Sequence, residues 1–194
     1  VRFLKRLYNW VLSWANTPYG TPALFVLAFT EASFFPVPPD VLLISLGLSE
    51  PKNAFYYATI CTLGSVLGGI FGYFLGLNFW ELAKNILFFY IDYDKFIMVK
   101  DYFIKYEAWA IGIAGFTPIP YKVFTILAGF FQSNFLIFVF MSVISRGARF
   151  FILSSLIYKF GFPIRTFIDK YFNLLTWIVI VFFIILFLLV KYIL

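Results

Sequence analysis

Apolar runs interrupted by prolines organise this chain. Residues 21–35 are mostly apolar, with Thr30, Glu31 and Ser33 as polar interruptions. Pro36, Pro38 and Pro39 end that run, and residues 41–48 are apolar again. Each piece is too short to span a bilayer comfortably, since a span takes about 20 residues. Half-helix, break, half-helix is the pattern of a re-entrant hairpin; one proline-kinked spanning helix over 21–48 is the alternative. Residues 54–77 form a first full span, and residues 108–117 and 121–131 flank a second break at Pro118 and Pro120. Residues 135–158 form a second span, and residues 172–194 a last one nearly free of polar groups.

The two breaks repeat. Pro36-Val-Pro38-Pro39-Asp40-Val-Leu-Leu-Ile-Ser-Leu-Gly47 and Pro118-Ile-Pro120-Tyr121-Lys122-Val-Phe-Thr-Ile-Leu-Ala-Gly129 share P-x-P-x-(charge)-V-x-x-I-x-x-G without a gap. The charge changes sign, from Asp40 to Lys122. Hairpin plus span (21–77) then corresponds to hairpin plus span (108–158). An odd number of spans between the units makes them enter from opposite sides. The expected fold is an all-α polytopic membrane protein: an inverted repeat of re-entrant hairpin plus transmembrane helix, with an additional C-terminal transmembrane helix. Paired broken segments in the two halves of such a protein point to a substrate site.

The flanks complete this organisation. Residues 1–19 read as an amphipathic N-terminal arm, with Arg2, Lys5 and Arg6 beside Trp10 and Trp14; the apolar stretch is too short for a cleaved signal. Residues 20–160 form the membrane domain, with a charged surface segment at 79–107 between the repeats. Residues 161–194 hold a basic loop and the final span. The arm has three basic residues and no acid, whereas 79–107 has four lysines against Glu81, Asp92, Asp94, Asp101 and Glu107. The positive-inside rule therefore puts the N-terminus in the cytoplasm.

Composition agrees with this class. Only 12% of residues are charged, against about a quarter in a soluble domain. There is no histidine, which excludes Ser-His-Asp catalysis and histidine metal sites. No catalytic residue set, metal site or cofactor is expected, and the protein reads as a non-enzyme. The single cysteine, Cys61, cannot form an intrachain disulfide and reads as a packing residue. The scattered basic residues speak against nucleic acid and for an anionic membrane surface.

Five ionisable groups fall inside apolar segments: Glu31, Asp40, Lys122, Arg146 and Arg149. Each costs about 2.5–3.5 kcal/mol at the bilayer centre, so they should face inward, pair or meet water. Arg146 and Arg149 are three apart and share a helix face. One reading is a polar cavity whose surplus positive charge receives a phosphate group, with Glu31 or Asp40 able to titrate. The other is structural ion pairing, for example Asp40 with Lys122 or Glu31 with an arginine. Lys122 could also snorkel from the hairpin tip. Gly64, Gly68, Gly72 and Gly76 recur every four residues and let another helix approach closely. Internal packing is the first reading of that stripe and a homodimer contact the second.

Several segments together resemble the DedA family, and within it the YqaA-like branch of the VTT (SNARE-associated Golgi protein) superfamily. They are Glu31-Ala-Ser-Phe-Phe-Pro36-Val-Pro38-Pro39-Asp40, the helix Gly64–Gly76, Gly115-Phe-Thr-Pro118-Ile-Pro120-Tyr-Lys122 and Ser145-Arg146-Gly147-Ala148-Arg149-Phe150-Phe151. The resemblance covers roughly residues 20–160. It implies a bacterial inner-membrane protein with two facing re-entrant hairpins that moves lipids, including undecaprenyl phosphate and phospholipids, in a proton-dependent way. The family's acidic pair falls on Glu31 and Asp40. Its second hairpin usually reads Gly-Arg-Phe-x-Pro-x-x-Arg; here the first arginine is absent and the second is Lys122. Arg146 and Arg149 could replace the lost charge. The expected function is thus a transporter or flippase for an anionic lipid or small solute, with membrane lipids as partners. The alternative is a scaffold or assembly factor that binds partner helices.

Overall fold

A computed structural model describes residues 14, 17–34, 37–90, 93–117 and 119–161, with backbone alone at 81–90 and 95. The N-terminal arm, apart from Trp14 and the last residues before the first helix, lies outside the described residues. So do Pro36, Pro118, the basic loop and the C-terminal span. The described residues are helical, with no strand among them. The helices are α1 (Gly20–Ser33), α2 (Asp40–Ser49), α3 (Ala54–Tyr90), α4 (Tyr93–Lys105), α5 (Glu107–Phe116), α6 (Tyr121–Phe130) and α7 (Phe135–Phe160).

The proline clusters set the element ends. α1 stops before the first cluster, where the Phe34 N–H closes on the Thr30 carbonyl at 2.8 Å. α2 starts directly after Pro39, with Asp40 in its first turn, where a negative charge suits the helix dipole. α6 starts directly after Pro120. Asn134 caps α7 by accepting the N–H groups of Leu136 and Ile137 at 3.0 and 3.2 Å. Gly161, at φ 58°, ends that helix in the left-handed region where glycine carries no steric penalty.

Among the described residues two helices are long and apolar enough to cross a membrane, within Pro51–Trp80 and Phe135–Phe160. α3 runs beyond the expected end at 77, as one helix of 37 residues. No proline or glycine follows Gly76 to stop it before Asp92. The 79–107 segment therefore begins inside a continuous helix, and α4 supplies its later, amphipathic part.

α3 is the spine. Its glycine stripe divides between the two halves of the fold. Gly64 lies against the Phe25 carbonyl of α1, and Gly68 against that of Phe29. Gly72 lies against the Thr125 side chain of α6, and Gly76 against the Ile126 carbonyl. From the other side, Gly129 of α6 lies against the Tyr73 carbonyl. A side chain at these positions would collide with backbone or with a packed neighbour, so the stripe is occupied within the chain.

Two buried clusters result. One joins Leu24, Leu27, Leu42, Leu43, Tyr57, Cys61 and Phe150, and so packs α1 and α2 on the first half of α3 and on α7. Cys61 is free and fully buried there. The other joins Tyr73, Ile111, Ala114, Tyr121 and Phe138, and packs α5 and α6 on the next turns of α3 and on α7. Outside these clusters α7 exposes Leu136, Phe140, Val143, Ile144 and Ile152. A continuous apolar face of that kind suits a lipid solvent.

Candidate functional site

Four of the five charges in the apolar segments meet as two ion pairs, both reaching from the helices beside the first break to α7. The sequence spacing of Arg146 and Arg149 puts them on one face of α7, one turn apart. Glu31 comes from the last turn of α1, just before the first break, and Asp40 from the first turn of α2, just after it.

Arg146 is held on four sides. Its Nη2 donates to Glu31 Oε2 at 2.8 Å, and its Nε donates to the Ser65 hydroxyl of α3 at 2.6 Å. Its guanidinium lies 5.1 Å from the Tyr121 ring centre and 4.7 Å from that of Phe150. The Tyr121 hydroxyl donates in turn to Ser142 Oγ at 2.6 Å, which fixes the ring. The Arg146 side chain is 3% exposed and that of Glu31 16%. Hydrogen bonds and aromatic faces thus replace the water that a buried guanidinium loses.

Arg149 is held differently. Its Nη2 and Nε reach Asp40 Oδ2 and Oδ1 at 2.7 and 3.3 Å, a two-pronged contact. Its Nη1 donates to the Thr117 carbonyl at 2.9 Å. Thr117 follows the last turn of α5, at the second break. One guanidinium therefore ties the acid after the first break to backbone at the second. Such carbonyls at a helix end need a donor when removed from water. The pair is more open, with side chains 23% and 18% exposed.

Asp40, read as a candidate partner for Lys122, has both carboxylate oxygens on Arg149. Lys122 is half-buried at the start of α6 and lies within electrostatic reach of Glu31. Two acids and three bases gather in this region. Ser65, Tyr121 and Phe150 were not among the sequence candidates. Nothing in one sequence marks a serine on α3 or an aromatic on α6 as a ligand of an arginine on α7. The threonine hydroxyls near the site mostly serve their own helices. Thr117 Oγ1 bonds the Ile113 carbonyl at 2.6 Å, and Thr125 Oγ1 the Lys122 carbonyl at 2.8 Å. Thr117 contributes through its carbonyl instead.

Among the described residues no group of three or more Asp, Glu, Cys or His could hold a metal ion. The arrangement can do electrostatic work. An anion with phosphate-like oxygens offers Arg149 the same two-pronged acceptor that Asp40 now provides.

Comparisons with known proteins place the chain in a family. Residues 35–159 match the VTT domain, a stretch that contains both breaks, both spans and every site residue except Glu31. The chain belongs to the VTT-domain proteins of the DedA family. An uncharacterized protein of Haemophilus influenzae is 33% identical over 181 residues, covering 93% of this chain and 94% of that protein. A homologue of it from Histophilus somni is 34% identical over 191 residues, covering 98% and 100%. The undecaprenyl phosphate transporter A of Staphylococcus aureus is 28% identical over 172 residues, covering 81% and 79%. No solved structure matches.

Proposed function

We propose that this protein carries an anionic lipid, of the undecaprenyl phosphate or phospholipid kind, or a small anionic solute, across the bacterial inner membrane. One observation carries the reading: two arginines sit where both helix breaks meet, and the outer one is partly exposed and held by a single carboxylate and one backbone carbonyl. The name of the Staphylococcus relative supports a polyprenyl phosphate as cargo.

In this proposal α1–α2 and α5–α6 are re-entrant hairpins that form an inverted repeat, entering from opposite faces, with the N-terminus in the cytoplasm. The lipid phosphate reaches Arg149, takes the place of Asp40, and is attracted by Lys122. Release of Asp40 loosens the link between the two breaks, and the hairpins move relative to each other. The displaced acid is then free to take a proton, which would couple transport to the proton gradient. The glycine stripe is used inside the chain, so any homodimer would form through another surface.

Reconstituted vesicles with a fluorescent or isotope-labelled lipid phosphate provide the test. Wild-type protein should speed its appearance in the opposite leaflet, and Arg149→Ala and Asp40→Ala should abolish that acceleration. Wild-type rates in both variants would overturn the reading.

A further inference from the structure

A third buried acid lies apart from the two ion pairs. Glu107 opens α5 and counts by sequence among the charges of a surface segment, yet it is 2% exposed. Its Oε2 accepts the Asn134 N–H at 3.2 Å, which ties α5 to the cap of α7. Its Oε1 is buried without a hydrogen-bond partner, and so is the hydroxyl of Ser133. The Ser133 side chain and the Asn134 N–H are the hydrogen-bonding groups that face this carboxyl, but the hydroxyl closes no bond onto Oε1. The Ser133 carbonyl, at the same place, accepts the Tyr73 hydroxyl of α3 at 2.7 Å.

The charges around Glu107 contrast with those of the main site. Glu31 and Asp40 each hold an arginine. Among the described residues no lysine or arginine pairs with Glu107. Tyr73 is the titratable group facing it from α3. Lys105, the closest cation along the chain, is exposed and lies 5.6 Å from the Tyr106 ring centre. A carboxylate buried without a counter-charge is strongly disfavoured. A buried carboxyl oxygen and a hydroxyl that face each other without closing a bond leave a place for the missing positive charge between them.

We propose that Glu107 and Ser133 form a site for one monovalent cation, either a proton or a sodium ion. A proton on Oε1 would make it a donor to Ser133 Oγ. A sodium ion would take Oε1, Oγ and the second lone pair of the Ser133 carbonyl. A single carboxylate balances the charge of one monovalent cation and leaves a divalent one half compensated. The occupied site fastens the base of α5–α6 to α7 and, through Tyr73, to α3. The inference is independent of the transport reading.

Burial raises the pKa of Glu107, which lies outside the two spanning helices. The folded protein then binds more protons than the unfolded chain above the ordinary carboxylate range. Stability should fall as pH rises through that window unless sodium takes the proton's place.

The test uses the full chain purified in detergent, with melting temperature followed from pH 5 to 9 in potassium or sodium at one ionic strength. Infrared spectra of the carboxylic acid band accompany it. Wild type should lose stability with rising pH in potassium. Glu107→Gln should flatten that slope and remove one acid band. Loss of the band on adding sodium at neutral pH, with recovery of melting temperature, identifies sodium as occupant; a band unchanged by sodium identifies the proton. Ser133→Ala retains the acid and should shift its band, which covers the case where Glu107→Gln does not fold. The proposal is overturned if wild type has no such band and no cation dependence, if Glu107→Gln keeps the wild-type pH slope, or if Ser133→Ala leaves the band in place.

Discussion

The Glu31–Arg146 and Asp40–Arg149 pairs use the same chemistry one helical turn apart, and their surroundings give them different properties. The inner arginine touches α1, α3, α6 and its own helix, and almost none of it reaches solvent. The outer one holds a carboxylate and one carbonyl, and about a fifth of each partner is exposed. A charge enclosed on four sides has no alternative partner and serves as a fixed point in the fold. A guanidinium that is itself about a fifth exposed has water, and in the proposed transport a phosphate, as competing partners. The lesson is that intramembrane charges should be sorted by what else could replace their present contacts, rather than by depth in sequence.

The largest expected effect tests the fixed point. Arg146→Ala leaves the Glu31 carboxylate buried and unpaired, and should cost about 3–5 kcal/mol of folded stability. Chemical denaturation in mild detergent would measure it. A loss below about 1 kcal/mol would mean that water already reaches the inner pair, and the contrast would collapse.

Next comes the outer pair, where function should move further than stability. Arg149→Ala should cost about 1–2 kcal/mol, because water can replace part of what is lost, while abolishing lipid movement in vesicles. Arg149→Lys sharpens the point. A lysine can reach one acceptor but cannot fork across a carboxylate and also hold the Thr117 carbonyl. Melting temperature near wild type with strongly reduced transport is the expected result. Equal losses of stability in Arg146→Ala and Arg149→Ala would erase the distinction between fixed and exchangeable charge.

The sequence made much of this frame legible, for identifiable reasons. The proline clusters mark helix ends because a proline ring blocks a helix wherever it falls. α1, α2, α5 and α6 accordingly begin or end within about two residues of the breaks read from the chain. The glycine stripe announced a close helix contact because only backbone can fill that space. Charge pairing was harder to read. Whether Asp40 meets Lys122 or Arg149 depends on the rotation of α7 against the hairpins, which one sequence does not encode locally. The length of α3 was missed because charged residues such as Glu81 and Lys84 resemble a surface segment while remaining compatible with a helix. Glu107 was misplaced for a related reason. The stretch before it carries Lys100, Asp101 and Lys105, and its burial comes from the turn before α7, at Asn134.

The smallest expected effect asks what the aromatic walls around Arg146 contribute. Tyr121→Phe keeps the ring beside the guanidinium and removes one hydroxyl. Ser142 Oγ still donates to the Phe138 carbonyl at 2.6 Å, so no buried donor is orphaned. The cost should be about 0.5–1.5 kcal/mol, the worth of one ordinary hydrogen bond. Tyr121→Leu removes the ring as well, and should cost more by the contact between cation and aromatic face, about 1–2 kcal/mol where water is excluded. The difference between the two variants measures the wall itself. If Tyr121→Phe were as damaging as Tyr121→Leu, the hydroxyl would be what orients the site, and Arg146 would depend on a polar chain through Ser142 rather than on its aromatic enclosure. If neither variant moved the melting temperature, the Glu31, Ser65 and Phe150 contacts would suffice to hold the inner arginine. Its difference from Arg149 would then rest on exposure and not on the number of its partners.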